Sequence, residues 1–372
     1  MKKKIMILTA STGGGHNCAA RAVADEIEKM GVKTVVVDSL RDIGTVGKLF
    51  DILISQGYET SAKYTPKIYG KAYDVFDYPI LRKSFDINLV NSYMKKNILK
   101  IIEQENITDI VTTHPFAAVA MADMKKKREI NIPINCIITD YTPHSSYISK
   151  YIDRYIAPHE DTGMILKKNG IQGEKIFPLG IPIATKMTKK KDKVELKKKY
   201  FPDDLPTVLI MGGSFGAGKI KKAFKKLQDI ENDINIVVIC GRNDAVKESL
   251  DAKIAKRQPK NRTLTVGFTD KMDDFYQMAD IAVTKPGGLT VTECLSYELP
   301  MIVPFFIPGQ EEGNRDFIVN NQLGLMTSRY YSLDVSVKSL LDDDEKIQRI
   351  KSSIRKNAKQ DSAKKVAELI LQ

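Results

Sequence analysis

"TVLIMGGSFGAGKI" (207–220) decides how this chain is read. An apolar, β-branched run leads into a turn carrying Gly212, Gly213, Gly216 and Gly218, and a helical pattern follows. Strand, glycine turn and helix form the repeating unit of a doubly wound α/β sheet. There glycines let backbone amides approach a ligand phosphate, and the helix N-terminus favours its charge. Gly213, Gly218 and Lys219 also fit the G-x-x-x-x-G-K spacing of a triphosphate loop. Two features argue against that: Ile220 stands where Ser or Thr would hold Mg²⁺, and the next apolar run ends in Cys240-Gly241 rather than an aspartate. The expectation is a diphosphate-holding loop, weighed against a turn that only packs a strand on a helix.

The same unit recurs on both sides. Upstream, 4–10, 33–39, 107–114, 134–141 and 154–159 read as strands, apolar nearly throughout, as parallel strands covered on both faces should be. Ala19, Ala22, Val23, Ile27 and Met30 set a helix between the first two, and Gly31 stops it. Downstream, 207–213, 234–241, 264–268, 280–288 and 300–306 give five more strands. The expected class is α/β: two Rossmann-like doubly wound domains facing a central cleft. The expected boundaries are 1–187, with an insertion at about 41–100, then a charged linker or short exposed helix at 188–205, a domain at 206–341 and one long helical stretch at 342–372.

A chain of 372 residues suits two domains, and 42% hydrophobic with 28% charged residues fits a globular protein. Net charge +12 favours anionic partners. The start, "MKKKIMILTASTGGGH", imitates a signal peptide but meets glycines instead of a cleavage pattern, so it reads as the first strand. No stretch has the apolar length of a membrane span. Cys18, Cys136, Cys240 and Cys294 are scattered, like reduced core residues of a cytosolic protein.

"STGGGHN" (11–17) and "TKPGGLTVTE" (284–293) repeat the glycine-turn device. In the second, Gly287 and Gly288 free the turn, Thr290 and Thr292 offer hydroxyls and Lys285 offers charge. Glu293 is placed to bond a ribose, or else to complete a capping box. All four histidines, His16, His114, His144 and His159, lie at or just past predicted strand ends. Asp140, better placed than Asp109, makes a carboxylate–histidine pair available for base catalysis. The histidines lack metal-ligand spacing, and the D-x-D pattern within 342–345 reads as solvated surface.

Together "STGGGHNCAARAV", "TDYTPH", "GIPI", "GGSFGAGK" and "TKPGGLTVTECLSYELPMIVPFFIPGQEEGN" resemble the diacylglycerol glycosyltransferases, which include plant monogalactosyldiacylglycerol synthases and bacterial processive glucosyltransferases. The resemblance runs from about residue 4 to 325 and implies the GT-B fold, with a UDP-sugar held mainly by the second domain. It implies uracil contact at Phe268 and diphosphate contact at Ser214, Phe215 and Gly216, with Gly15 and Lys285 also on the donor. It further implies phosphate at the helix start Gly287, Gly288, Leu289 and Thr290, ribose on Glu293, and reading of the sugar by Gln310 and Glu311. His16, or Asp140 with a histidine, would take the acceptor proton. The chain departs from its relatives at Ala184, where Arg often follows "GIPI" and where Lys186 or Lys219 must substitute. It departs again at Tyr147, where many relatives have Trp; with His144, Tyr147 is expected near the acceptor.

The implied reaction is inverting transfer of glucose or galactose from UDP to diacylglycerol, with no cofactor and no metal. Helix amides would receive the charge of the leaving diphosphate. Residues 58–85 interleave aromatics, among them Tyr64 and Tyr69, with Lys67 and Lys71. That composition suits peripheral attachment to the anionic inner face of the cell membrane, and no nucleic-acid partner is expected. Rival readings are an N-acetylglucosamine transferase acting on a polyprenyl-linked cell-wall precursor, a UDP-sugar 2-epimerase, and a non-catalytic nucleotide-sugar sensor.

Overall fold

Short apolar runs alternating with amphipathic ones become two parallel sheets. The computed structural model describes residues 2–11, 14–39, 41–42, 88–188, 191–212, 220–228 and 230–372. The first sheet is ordered β2-β1-β3-β4-β5-β6. Its strands are β1 (Lys4–Thr9), β2 (Lys33–Asp38), β3 (Asp109–Thr112), β4 (Ile134–Ile137), β5 (Arg154–Ile156) and β6 (Ile176–Phe177). The second is ordered β12-β11-β10-β7-β8-β9. It comprises β7 (Thr207–Met211), β8 (Asn235–Ile239), β9 (Arg262–Val266), β10 (Ile281–Val283), β11 (Met301–Val303) and β12 (Gly324–Met326). Every pairing is parallel. Both sheets are therefore doubly wound and Rossmann-like, as expected.

Strand periodicity assigns the two faces of the first sheet. Ile5 and Ile7 pack with Ala20, Val23 and Ile27 of α1 (Gly14–Lys29). Met6 and Leu8 turn to the other face, among Ile98 of α2 (Asn88–Glu105) and Met121 of α3 (Pro115–Lys126). Two strands escape the sequence pattern, β6 and β12. They are half-buried edge strands of two and three residues, too short to set a strand pattern.

One compact unit holds Met1–Thr185, Pro308–Gly313 and Lys359–Gln372; the other holds Lys186–Ile307 and Asn314–Ala358. The charged stretch at 188–205 holds a short helix that buries one side only. Asp192 caps α5 (Lys193–Tyr200) by accepting from the N–H of Val194 at 2.8 Å, and Leu196, Lys197 and Phe201 are buried. Lys197 Nζ lies 3.0 Å from Asp280 and 3.2 Å from Asp204, so its alkyl stem is buried while its charge is paired. Of the carboxylates that neutralise this lysine, Asp280 lies far along the chain, so the run reads as solvated from its own sequence.

The helical stretch from Asp342 holds two helices: α12 (Asp344–Asn357), then α13 (Ser362–Leu371), with Asp361 at φ 55° ahead of the second. Helix α13 belongs with the first unit. Val366, Ala367 and Ile370 complete the face built by Ile5, Ile7 and α1. Lys3 Nζ donates to the carbonyl of Leu371 at 2.8 Å, and Arg154 Nη1 donates to that of Leu369 at 2.6 Å. Both satisfy C-terminal helix carbonyls with positive charge.

Gly324 is the tightest point of the second sheet. A Cβ there would lie 2.1 Å from the carbonyl oxygen of Met301, its register partner. Gly324→Ala is expected to cost about 1–3 kcal/mol as β12 is forced from β11. Chemical denaturation measures it, and an unchanged midpoint would show that the edge yields freely.

Candidate functional site

In the first unit the site is built at the carboxyl ends of β1, β3 and β4. Helix α1 starts at Gly14 and carries Gly15 and His16 in its first turn. His16 Nδ1 lies 2.7 Å from the carbonyl oxygen of Thr113 and 3.0 Å from Thr139 Oγ1. A carbonyl can only accept, so Nδ1 carries the proton. Nε2 then keeps its lone pair, and no described residue bonds it. Burial lowers the His16 pKa; the nearby charge of Asp140 and the bond to Thr113 oppose that shift.

The other three histidines do a different job. His114 caps α3, its Nδ1 accepting from the N–H of Phe116 at 3.2 Å. His144 caps the 3₁₀ turn Ser145–Tyr147 by accepting from Ser146, and His159 caps α4 (Glu160–Lys168) by accepting from Asp161. Their place at strand ends therefore has a structural cause: each starts the next helix. His114 also packs edge-on against His16, with centroids 4.6 Å apart, and burial holds its pKa well below the usual value. Tyr147 is buried, and its hydroxyl donates to the Thr113 carbonyl at 3.4 Å. It reaches the His16 site from inside the fold.

Gln310 and Glu311 fall in Pro308–Gly313, the segment grouped with the first unit, and Glu311 is buried. Gly313 meets the loop after β4 closely: a Cβ on it would stand 2.2 Å from Thr142 Oγ1. The sequence alone does not show this grouping, because the residues lie between elements of the second sheet.

In the second unit β10 feeds α9 (Gly288–Ser296) through Lys285, Pro286 and Gly287. Gly287 is the N-cap and offers no side chain to the helix. The first helical bond is from Val291 N–H to the Gly287 carbonyl at 2.9 Å, so the amides of Gly288, Leu289 and Thr290 precede the intrahelical ladder. Aligned with the helix dipole, these amides give the helix start a partial positive charge, which favours an anion there. Thr292 bonds back to the Gly288 carbonyl at 2.9 Å rather than facing a ligand.

Glu293 is not a capping-box partner. It lies too far into α9, and its Oε2 accepts from the Tyr276 hydroxyl at 2.7 Å. Tyr276 comes from α8 (Met272–Met278) and stacks on Tyr297 at 5.5 Å. Burial pushes the Glu293 carboxyl up to about 7, with the Tyr276 bond working against that rise. Phe268, past β9, is 65% exposed, and the guanidinium of Arg242, past β8, sits 4.8 Å over its ring. Neither Tyr276 nor Arg242 was singled out from the sequence, since each is marked only by a partner far along the chain. Ser214, Phe215, Gly216 and Lys219, and Tyr64, Lys67, Tyr69 and Lys71, lie outside the described residues, as does the side chain of Lys186. Among the described residues no group of three His, Cys, Asp or Glu side chains is arranged for a metal ion.

The family profile described as monogalactosyldiacylglycerol (MGDG) synthase matches residues 16–183, and the glycosyltransferase family 28 C-terminal domain matches 207–370. A processive diacylglycerol beta-glucosyltransferase of Bacillus licheniformis is 28% identical over 359 residues, covering 95% of this chain and 90% of the relative. The enzyme of that name in Bacillus subtilis is 26% identical over 359 residues, covering 95% of this chain and 91% of its own. Among solved structures, MurG of Acinetobacter baumannii superposes with TM-score 0.67 at 16% identity, covering 99% of both chains. Anabaena HepE in complex with UDP-glucose gives 0.58 at 13% identity, again covering 99% of both chains. These likenesses establish the fold as GT-B. With its two halves matching those two profiles in order, the chain belongs to the diacylglycerol glycosyltransferase family, glycosyltransferase family 28.

Proposed function

We propose that the protein transfers a hexose from a UDP-sugar to the free hydroxyl of diacylglycerol, with inversion and without a metal. The observation that carries this reading is the start of α9, where free-standing amides and a carboxylate share one short helix. Relatives named for acting on diacylglycerol support the acceptor.

The chemistry follows from the groups present. Nε2 of His16 takes the proton of the acceptor hydroxyl, and the Asp140 charge favours the imidazolium that results. The acceptor oxygen bonds to the anomeric carbon as the bond from that carbon to the UDP oxygen breaks. The transition state has oxocarbenium character. The electron pair leaves with the diphosphate, whose new charge is met by the amides of Gly288, Leu289 and Thr290. Glu293 accepts the ribose hydroxyls, and Phe268 with Arg242 offers a face to uracil. Gln310 and Glu311 read the sugar.

The test offers UDP-glucose, UDP-galactose and UDP-N-acetylglucosamine in turn, with detergent-dispersed diacylglycerol and a chelator. A glycolipid from either hexose, of inverted anomeric configuration, is expected. The hexose that reacts names the enzyme. Loss of activity in the chelator would remove the metal-free step. Transfer from the N-acetyl sugar alone, or its epimerisation without acceptor, would replace the reading. Peripheral attachment to the inner face of the cell membrane belongs to the same proposal; among the described residues no helix is long and apolar enough to cross a membrane.

A further inference from the structure

The second unit gathers exposed rings beside unpaired cations. Between β12 and α11 (Leu333–Leu341) the chain reads Ser328-Arg329-Tyr330-Tyr331-Ser332. Tyr330 is 83% exposed and Tyr331 63%. Their projection is built in. Ser328 Oγ accepts from the N–H of Tyr330 at 3.2 Å and of Tyr331 at 3.0 Å, and the Ser328 N–H donates to the Tyr331 carbonyl at 2.8 Å. The guanidinium of Arg329 lies 5.8 Å from the Tyr330 ring centre, and Val335, in the first turn of α11, is also exposed.

Helix α6 (Ile220–Leu227) packs against α11. It buries Ile220, Ala223, Phe224 and Leu227 and leaves Lys221, Lys222, Lys225 and Lys226 exposed. Lys226 Nζ reaches Asp334 Oδ1 at 3.5 Å, which ties this lysine face to the turn next to Tyr331. Lys221, Lys222 and Lys225 pair with no carboxylate among the described residues, whereas Lys338, farther along α11, is neutralised by Glu231 and Asp342. The lysine face of α6 and the turn that carries the rings are thus joined through Lys226 and Asp334.

We propose that this face, Arg329-Tyr330-Tyr331 with the lysine side of α6, docks on an anionic lipid bilayer. Tyrosine rings settle at the headgroup level, with the apolar body inward and the hydroxyl wet. Lysines within a Debye length of an anionic leaflet add an attraction that salt screens. Charge complementarity selects the partner: among the described residues of α6 and the 328–335 segment, four lysines and an arginine stand against one carboxylate, Asp334. The proposal rests on the reading that the acceptor is a membrane lipid, and it assigns attachment to residues outside the aromatic-basic insertion.

Full-length protein is sedimented with vesicles of equimolar phosphatidylglycerol and phosphatidylcholine, and separately of phosphatidylcholine alone, without sugar donor. Wild type is expected to bind the anionic vesicles, more weakly as salt rises, and to leave the neutral ones. Tyr330→Ser/Tyr331→Ser and Lys221→Gln/Lys222→Gln/Lys225→Gln should each lower partition by about tenfold or more. UDP affinity and turnover on detergent-dispersed diacylglycerol should stay within about twofold, because these side chains are solvent-facing. Equal partition of both variants and wild type would overturn the proposal, as would equal binding to neutral vesicles. So would a wild-type dimer that the tyrosine variant abolishes with vesicle binding intact. Absence of turnover by wild type in detergent would instead fall on the proposed reaction, since vesicle partition is read without it.

Discussion

His16→Ala lowers the turnover number for hexose transfer by about 10²–10⁴-fold, the range for a positioned general base, and leaves UDP affinity within about twofold. The asymmetry follows from the ring's two nitrogens. Nδ1 is spent on the Thr113 carbonyl, so only Nε2 can take a proton. Burial lowers the His16 pKa from 6.5, and a lowered pKa keeps the base unprotonated at neutral pH. The acid limb of the kcat profile should then lie below pH 6.5 and vanish in the alanine variant. Asp140→Asn should move that limb further down, because the Asp140 charge is what raises the pKa. The same burial makes a stability statement. His16 and His114 are held neutral in the fold, while the unfolded chain protonates near 6.5, so their stability contribution is whole above that pH and is lost as pH falls below it. Loss of UDP affinity with kcat unchanged in His16→Ala would make His16 a binding residue and place the base elsewhere.

Glu293→Ala weakens UDP binding by about 1–3 kcal/mol, roughly 5- to 150-fold, the scale for removing hydrogen bonds to a charged group. Calorimetric titration at pH 8 reads it. The wild-type affinity carries a further signature. The carboxyl is pushed to about 7 by burial, and ribose hydroxyls donate best to the anion, so affinity should rise as pH passes upward through 7. Glu293→Gln should lose that pH step while still accepting from Tyr276. The stability sign is opposite to the binding sign. With the folded pKa above the unfolded value of 4.5, the protein loses stability as pH rises from 4.5 to 7, and the glutamine variant does not. Glu293→Gln should thus bind donor poorly and melt no lower at pH 8. Wild-type affinity in both variants would remove the ribose contact.

What was legible in the sequence is what local chemistry can write. The apolar runs that became β1, β7 and β8 are buried on both faces and advertise themselves, whereas β6 and β12 exist because a neighbouring strand pairs them. The glycines ahead of α9 announced a turn into a helix start; the Tyr276 hydroxyl that holds Glu293 could not be read, because the two stand 17 positions apart with a strand between them. The histidines were the ambiguous case. Position at a strand end suits a reactive base and a helix cap equally, and only the partner of Nδ1 separates them: a carbonyl for His16, backbone amides for His114, His144 and His159. Charge hid one buried side chain, at α5, where Lys197 is covered and paired with Asp204 of its own stretch and Asp280 of another.

The grip of Lys3 and Arg154 on the carbonyls of α13 has a consequence for how the protein is made. A ribosome releases residues 1–185 long before it reaches 362–371, so the nascent first lobe waits with Ile5, Ile7, Val23 and Ile27 uncovered on one side. The second lobe can finish first, and synthesis order and folding order run opposite for half the molecule. Removing 362–371 would leave that face open to water.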